Sequence, residues 1–456
     1  MVRLIAAILA ATGILFGSYG VGVALAADPA TTFGPPTAKA TFGQGVTFTQ
    51  PVRLGEAIAT AELLVTFPGS AGPTIIPVDA ASGAGERTLT YDFDLSGDGF
   101  LAPNTRLSAQ WRLTPTSDSS TPAMGPSVAV TYKDTRFEWK SASGDLVTVY
   151  WYEGGAAFGA RALKIGEDAV ESSSELLGVT ETDSIDFYVY ADKGAFYDAL
   201  GPGTRENVGG QANADIRTMF ALVTPADIDQ AWVDIVIPHE LTHLVFDTAV
   251  KNPYHFPPRW LNEGVAEYQS QGYDAGSKAT IEAGASAGTL IPLDGLTGQF
   301  PTTSERFGLA YAESAAAVDY LVRTYGQDAL VALITSYADG LTDDEAFTKA
   351  LGLDATAFGD AWLVSVGAVA PTRYGPQPAA PGPVPGLWVG NPAPGTTAAP
   401  GSPTAAPTAT ATPAPGALDA SGGSVEAVAL VVVIAITALG VLALYARRRR
   451  QDAADA

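Results

Sequence analysis

The chain has 456 residues with 48 Asp and Glu against 25 Lys and Arg, a net charge of −23, and no cysteine. A surface this acidic repels phosphate backbones, so nucleic-acid binding is not expected. Zero cysteine excludes disulfide scaffolds, thiolate zinc sites, iron–sulfur clusters and cysteine nucleophiles together. Only three histidines occur, which makes each position informative.

The N-terminus reads Met1-Val2-Arg3, then an almost wholly apolar stretch from Leu4 to Phe16, then Ala24-Leu25-Ala26. This order of charge, apolar run and small residues predicts a secretory signal peptide over 1–26. From 38 to 133 apolar and polar residues repeatedly alternate, as in Leu107, Ala109, Trp111 and Leu113, or Leu89, Tyr91, Phe93 and Leu95. Period-2 runs separated by Gly/Pro/Ser turns predict an antiparallel, immunoglobulin-like β-sandwich. Within it, Asp94-Leu95-Ser96-Gly97-Asp98-Gly99 imitates the opening of a calcium loop, but its twelfth position is Thr105 and no helices flank it. A plain turn is expected there.

From Asp134 to residue 370 the pattern becomes mixed. Strands are expected at 146–152, 185–190 and 216–222, and a helix at 156–177. Thr224-Pro225-Ala226-Asp227 has the composition of a helix start. Further helices are expected at 311–324, 326–338, 342–351 and 356–366. Strands first and helices second make the chain α+β. Residues 371–424 are dominated by Pro, Ala, Thr and Gly, a composition that buries no core and forms an extended tether. Ala427 to Ala446 is a 20-residue apolar run followed by Arg447, Arg448, Arg449 and Arg450. At ~1.5 Å per residue it spans a bilayer, and the arginines fix 447–456 as a cytoplasmic tail. The expectation is a cell-membrane protein with one C-terminal transmembrane helix and an extracellular N-terminal ectodomain.

The chemistry is concentrated in Pro238-His239-Glu240-Leu241-Thr242-His243-Leu244. Histidines at i and i+4 share a helix face, so both imidazoles can reach one metal ion. Glu240 stands beside that face, where a carboxylate can take a proton from an activated water. Pro238 removes a backbone donor immediately before His239 and is expected to kink the helix unless it lies in the first turn.

Downstream stands Trp260-Leu261-Asn262-Glu263-Gly264-Val265-Ala266-Glu267-Tyr268. Together the two segments resemble the gluzincin metallopeptidases, in particular the peptidase MA-like group and the related zinc aminopeptidases. The resemblance covers roughly 135–370. It implies a zincin-like peptidase domain with a helical C-terminal lobe, following the β-sandwich. It makes Glu263 the third zinc ligand after His239 and His243, with Glu240 the general base. It implies that Glu267 orients a zinc-bound histidine, and that Tyr311, in Tyr311-Ala312-Glu313-Ser314-Ala315, stabilises the oxyanion. Nineteen residues separate His243 from Glu263 (263 − 243 − 1), one more than is usual in the zinc aminopeptidases. No Gly-x-Met-Glu-Asn segment occurs, which favours an endopeptidase. His255 matches no ligand position and is expected to pack in its loop.

The expected function is therefore a membrane-anchored zinc metallopeptidase with Zn²⁺ as cofactor and a peptide or protein as substrate. The alternative is a non-catalytic surface binding or adhesion protein that retains a structural zinc. The sequence leaves the oligomeric state open.

Overall fold

The computed structural model describes residues 31–372, apart from 80–82, 96–99, 118–120, 202–208 and 253–254. The expected signal peptide, nearly all of the tether, the membrane helix and the cytoplasmic tail lie outside the described residues, as do Ser96 to Gly99 of the calcium-loop imitation. Among the described residues no helix is long and apolar enough to cross a membrane. The described residues fold as two compact units, divided between Arg136 and Phe137.

The first unit is built of β1 (Thr32–Phe33), β2 (Thr37–Thr41), β3 (Gly45–Leu54), β4 (Ile58–Thr66), β5 (Thr74–Val78), β6 (Gly85–Asp94), β7 (Thr105–Pro115), β8 (Ala123–Met124) and β9 (Val128–Tyr132). They form two antiparallel sheets: β3 joins β1, β2 and β6, while β4 joins β5 and β7, which also pairs with β8 and β9. Alternation decides which faces are buried. Val46 and Phe48 of β3, Leu63 and Val65 of β4, and Leu107, Ala109, Trp111 and Leu113 of β7 are all at most 2% exposed and form one core. Burying each large side chain contributes about 1.5–3 kcal/mol, so this shared core is what makes the two sheets a sandwich.

The second unit opens with β10 (Lys140–Ser143), β11 (Val147–Trp151), α1 (Ala156–Leu177), β12 (Ile185–Tyr190), α2 (Lys193–Leu200), β13 (Gly210–Asn213) and β14 (Thr218–Leu222). The sheet order is β10-β11-β12-β14-β13, with β11, β12 and β14 parallel and the two edges antiparallel. One sheet face buries Val147, Val149, Phe187 and Met219 in the main core with α1. The other is aromatic, with Tyr188, Tyr190 and Phe220 packed with Phe196 of α2.

Helices then dominate: α3 (Val233–Val250), α4 (Arg259–Gln271), α5 (Ala275–Ala287), α6 (Ser304–Tyr325), α7 (Gln327–Ser336), α8 (Asp343–Leu351) and α9 (Ala355–Ser365). The architecture is α+β, with N-terminal sheets followed by a helical lobe. Two local expectations are corrected. Residues 224–232 form successive turns, because Thr224 Oγ1 bonds the Asp227 side chain at 2.5 Å instead of capping a helix; α3 begins at Val233. The strand expected at 216–222 starts at Thr218, after a 3₁₀ turn over Ala214–Ile216. That strand is interior, between β12 and β13, and the sheet edge beside it is β13 (Gly210–Asn213).

Candidate metal centre

Helix α3 is apolar on most of its surface, burying Ile237, Leu241, Leu244, Val245 and Phe246. Its remaining strip, carrying His239, Glu240, His243 and Asp247, faces a cleft of about 470 Å³. Pro238 lies inside the helix, beyond the first turn, and α3 continues past it to Val250. The missing N–H therefore falls one residue before the first imidazole, and the buried face holds the helix together across the gap.

Helix α4 brings the third donor. Pro257 and Pro258 lead into it, and the Arg259 N–H is taken by the Thr297 carbonyl at 2.9 Å. Gly264 then lets α4 cross α6 at backbone distance: a Cβ there would lie 2.4 Å from the Ser314 carbonyl oxygen. That approach places Glu263, 8% exposed, against the two histidines.

The donor atoms converge. His239 Nε2 and His243 Nε2 are 3.3 Å apart, and Glu263 Oε2 is 3.6 Å from each. Zinc bonds of about 2.0–2.2 Å at tetrahedral angles require donor separations of about 3.3–3.6 Å. The spacing and the N₂O donor set thus fit a zinc ion, with His239, His243 and Glu263 as the residues that would hold it.

Each donor is oriented from behind. Asn262 Oδ1 lies 3.0 Å from His243 Nδ1, so an N–H there donates to the amide and leaves Nε2 as acceptor toward the cluster. Glu267 Oε1 stands 3.7 Å from His239 Nδ1, and Gln271 donates to the other Glu267 oxygen. Arg259, one turn before Glu263, directs Nε and Nη2 at Oε1 at 3.1 and 3.0 Å, leaving Oε2 to the imidazoles. Arg259 also lies 4.8 Å over the Phe300 ring.

Electrostatics show what the cluster wants. Burial alone lowers the His239 imidazole, but the Glu263 carboxylate 3.6 Å away and the charges of Glu267 and Glu240 outweigh it and raise it to about 9. Burial raises Glu263, yet the two imidazoles and Arg259 hold it well below the usual carboxylate range. The pocket thus stabilises a positive charge beside Glu263, the property a cation site needs.

Glu240 stands beside the cluster. Its Oε2 accepts the Ala212 N–H of the edge strand β13 at 3.0 Å. Gly210 makes this approach possible, because a Cβ there would lie 2.6 Å from Glu240 Cγ. Tyr311 is on the cleft wall, its ring 6.2 Å from that of His239 and packed on Phe300 and Phe307. It does not start a helix, as its sequence context suggested, but lies inside α6, which begins seven residues earlier at Ser304. Burial and the Glu263 charge push its phenol well above 10, so the O–H is kept. His255 is apart from the cluster, 3.1 Å from Asp343 Oδ1 and packed on Tyr337.

The structure therefore brings together His239, Glu240, His243, Glu263, Glu267 and Tyr311. Sequence reasoning missed Asn262, Arg259 and β13. Arg259 was readable as an i, i+4 partner of Glu263, whereas a four-residue strand of Gly, Gln, Ala and Asn carries no strand signal.

Residues 165–368 match the family model described as the Peptidase MA superfamily. Among solved structures the chain is similar to the M1 zinc metallopeptidase from Deinococcus radiodurans, at 14% identity over 75% of this chain and 94% of that one, with a TM-score of 0.36. It is also similar to an aminopeptidase N family protein from Idiomarina loihiensis, at 11% identity over 73% and 70%, with a TM-score of 0.29. No curated protein matches it. The Peptidase MA superfamily match over 165–368 takes in the whole His239, His243 and Glu263 donor set.

Proposed function

We propose that the chain is a zinc metallopeptidase, anchored in the cell membrane by residues 427–446 with its N-terminal ectodomain outside. The observation that carries the chemistry is the convergence of His239 Nε2, His243 Nε2 and Glu263 Oε2 beside a carboxylate that is not part of the donor triangle. A structural metal site has no use for that carboxylate, which speaks against the non-catalytic binding protein. Zinc held by the three donors supplies a Lewis acid that polarises a peptide carbonyl and acidifies water.

The chain's own residues do the rest. Glu240 has one oxygen fixed on the Ala212 N–H and the other available. That free oxygen takes a proton from the attacking water and passes it to the leaving amine nitrogen, so the carboxylate ends as it began. Tyr311, protonated at any ordinary pH, donates its O–H toward the oxygen on which negative charge develops. Asn262, Glu267 and Arg259 keep the donors in register.

The test is Glu240→Gln, which keeps the size and an acceptor for Ala212 but removes the basicity. The variant should retain about one zinc per chain, as wild type does, and lose peptide cleavage by at least ~100-fold. Wild-type cleavage by a zinc-loaded variant would refute the assignment. A wild type that holds zinc yet cleaves nothing in a broad peptide library would favour the binding protein.

A further inference from the structure

Beyond His243 the cleft is lined by residues that take no part in the metal cluster. Asp247 stands one turn further along the same face of α3. Its side chain is half-buried, and its carboxylate accepts no hydrogen bond from any described residue. Arg217 is the described cation whose charge reaches it, but no nitrogen of Arg217 hydrogen-bonds the Asp247 carboxylate. Arg217 Nη1 donates to the Leu244 carbonyl at 2.9 Å and Thr248 Oγ1 at 3.1 Å, and Nη2 pairs with Glu181 Oε2 at 2.7 Å. Exposed Asp215 adds a second negative charge nearby. This end of the cleft therefore has a carboxylate in want of a donor.

The wall beside it is apolar. Phe256 is 43% exposed although its ring rests 5.8 Å from that of Phe246, and it lines the same cleft. Leu244, one turn-side neighbour of Asp247, contributes to the floor. A half-buried carboxylate is costly to leave without donors, and an exposed ring is costly to leave in water. One kind of group satisfies both: a long aliphatic stem that lies on the ring and ends in a cation.

We infer that Asp247 and Phe256 form a subsite for a basic side chain, so that the peptides this cleft selects carry Lys or Arg close to the cleaved bond. The inference rests on the peptidase function proposed above and adds its substrate class. The net charge of −23 works in the same direction, since it steers basic peptides toward the protein. A free terminal amine would satisfy the charge but leave Phe256 bare.

The experiment uses the zinc-loaded protein and N-acetylated peptides, which have no terminal amine. One sequence is varied position by position on both sides of the cleaved bond among Lys, Arg, Leu and Glu. At one position wild type should favour Lys or Arg over Leu by about 10–100-fold in kcat/KM, the worth of a hydrogen-bonded charge pair. Asp247→Asn should cut that ratio to within about three-fold, and Asp247→Glu should restore much of it. Phe256→Ala should reduce the ratio by a smaller factor. Cleavage with no basic preference at any position, or a preference that survives Asp247→Asn, would overturn the subsite and leave the peptidase function standing. Absence of cleavage in every zinc-loaded sample would remove the peptidase function, and the subsite with it.

Discussion

Replacing Gly264 by alanine tests whether the α4–α6 crossing sets the position of Glu263. Two opposite effects compete. In an isolated helix the substitution is favourable by about 1 kcal/mol, because glycine loses more backbone entropy on folding. Here the new methyl would meet the Ser314 carbonyl oxygen at 2.4 Å, its carbon at 2.7 Å and Val318 Cγ2 at 2.9 Å. Ordinary contact begins near 3.4 Å, so the shortfall against the oxygen is about 1.0 Å (3.4 − 2.4). The obstacle is backbone and cannot rotate away, so the helices must separate by a similar distance. Overpacking of this kind costs about 1–3 kcal/mol or more, and the clash should outweigh the propensity gain. For a unit of this size each kcal/mol lowers the melting temperature by about 2–4 °C, so a drop of several degrees is expected by calorimetry. Because Glu263 is the adjacent residue, zinc affinity should fall at the same time. A melting temperature equal to or above wild type, with zinc retained, would falsify the view that this contact is tight.

Two other outcomes follow from features already described. Glu313 on α6 is fully buried, with Oε1 accepting the Ile291 N–H at 2.7 Å, and burial raises it from 4.5 to about 8. The folded protein then keeps a proton that the unfolded chain releases. This contribution to stability is fully present below about pH 4.5 and is lost progressively as the pH rises to about 8, by a few kcal/mol. Glu313→Gln should flatten the fall in melting temperature between pH 5 and 8, and an unchanged slope would exclude Glu313 as its source. The proposed anchor is tested on intact cells: external protease should cut within 371–424 and release a soluble ectodomain, whereas external access to residue 456 would reverse the orientation.

What was legible in the sequence was what has a period. Helix α1 has the bounds that its spacing predicts, because a helix with one buried face writes its repeat into the chain, and strand β12, buried on both faces, shows as a short apolar and aromatic run. The β7 alternation likewise marks its inward residues. Two histidines four apart share a helix face by geometry alone. What was not legible depends on partners distant in sequence. Helix α2 is only eight residues long, and α5 is built mostly of small residues with Ile281 its one large apolar side chain, so both are held by what they pack on. The role of β13 comes from Glu240 approaching Gly210, which no local pattern announces. Thr224 and Pro225 have cap composition, yet the threonine hydroxyl is spent on Asp227. Asp247 is the plainest case: on sequence it is a polar residue late in an apolar helix, and only the cleft gives it meaning.

The bond between Glu240 and the Ala212 N–H has a bearing on how the protein behaves among its own copies. β13 is an edge strand, and an edge exposes main-chain donors and acceptors to any extended chain that comes by. With the Leu222 N–H bonded to the Gly209 carbonyl, alternation turns the Ala212 N–H outward, away from β14. Glu240 occupies that donor and sets a negative charge beside it, so a second copy cannot zip its own β13 alongside without expelling a carboxylate. The side chain proposed as the base thus also keeps this edge of the sheet closed to casual pairing.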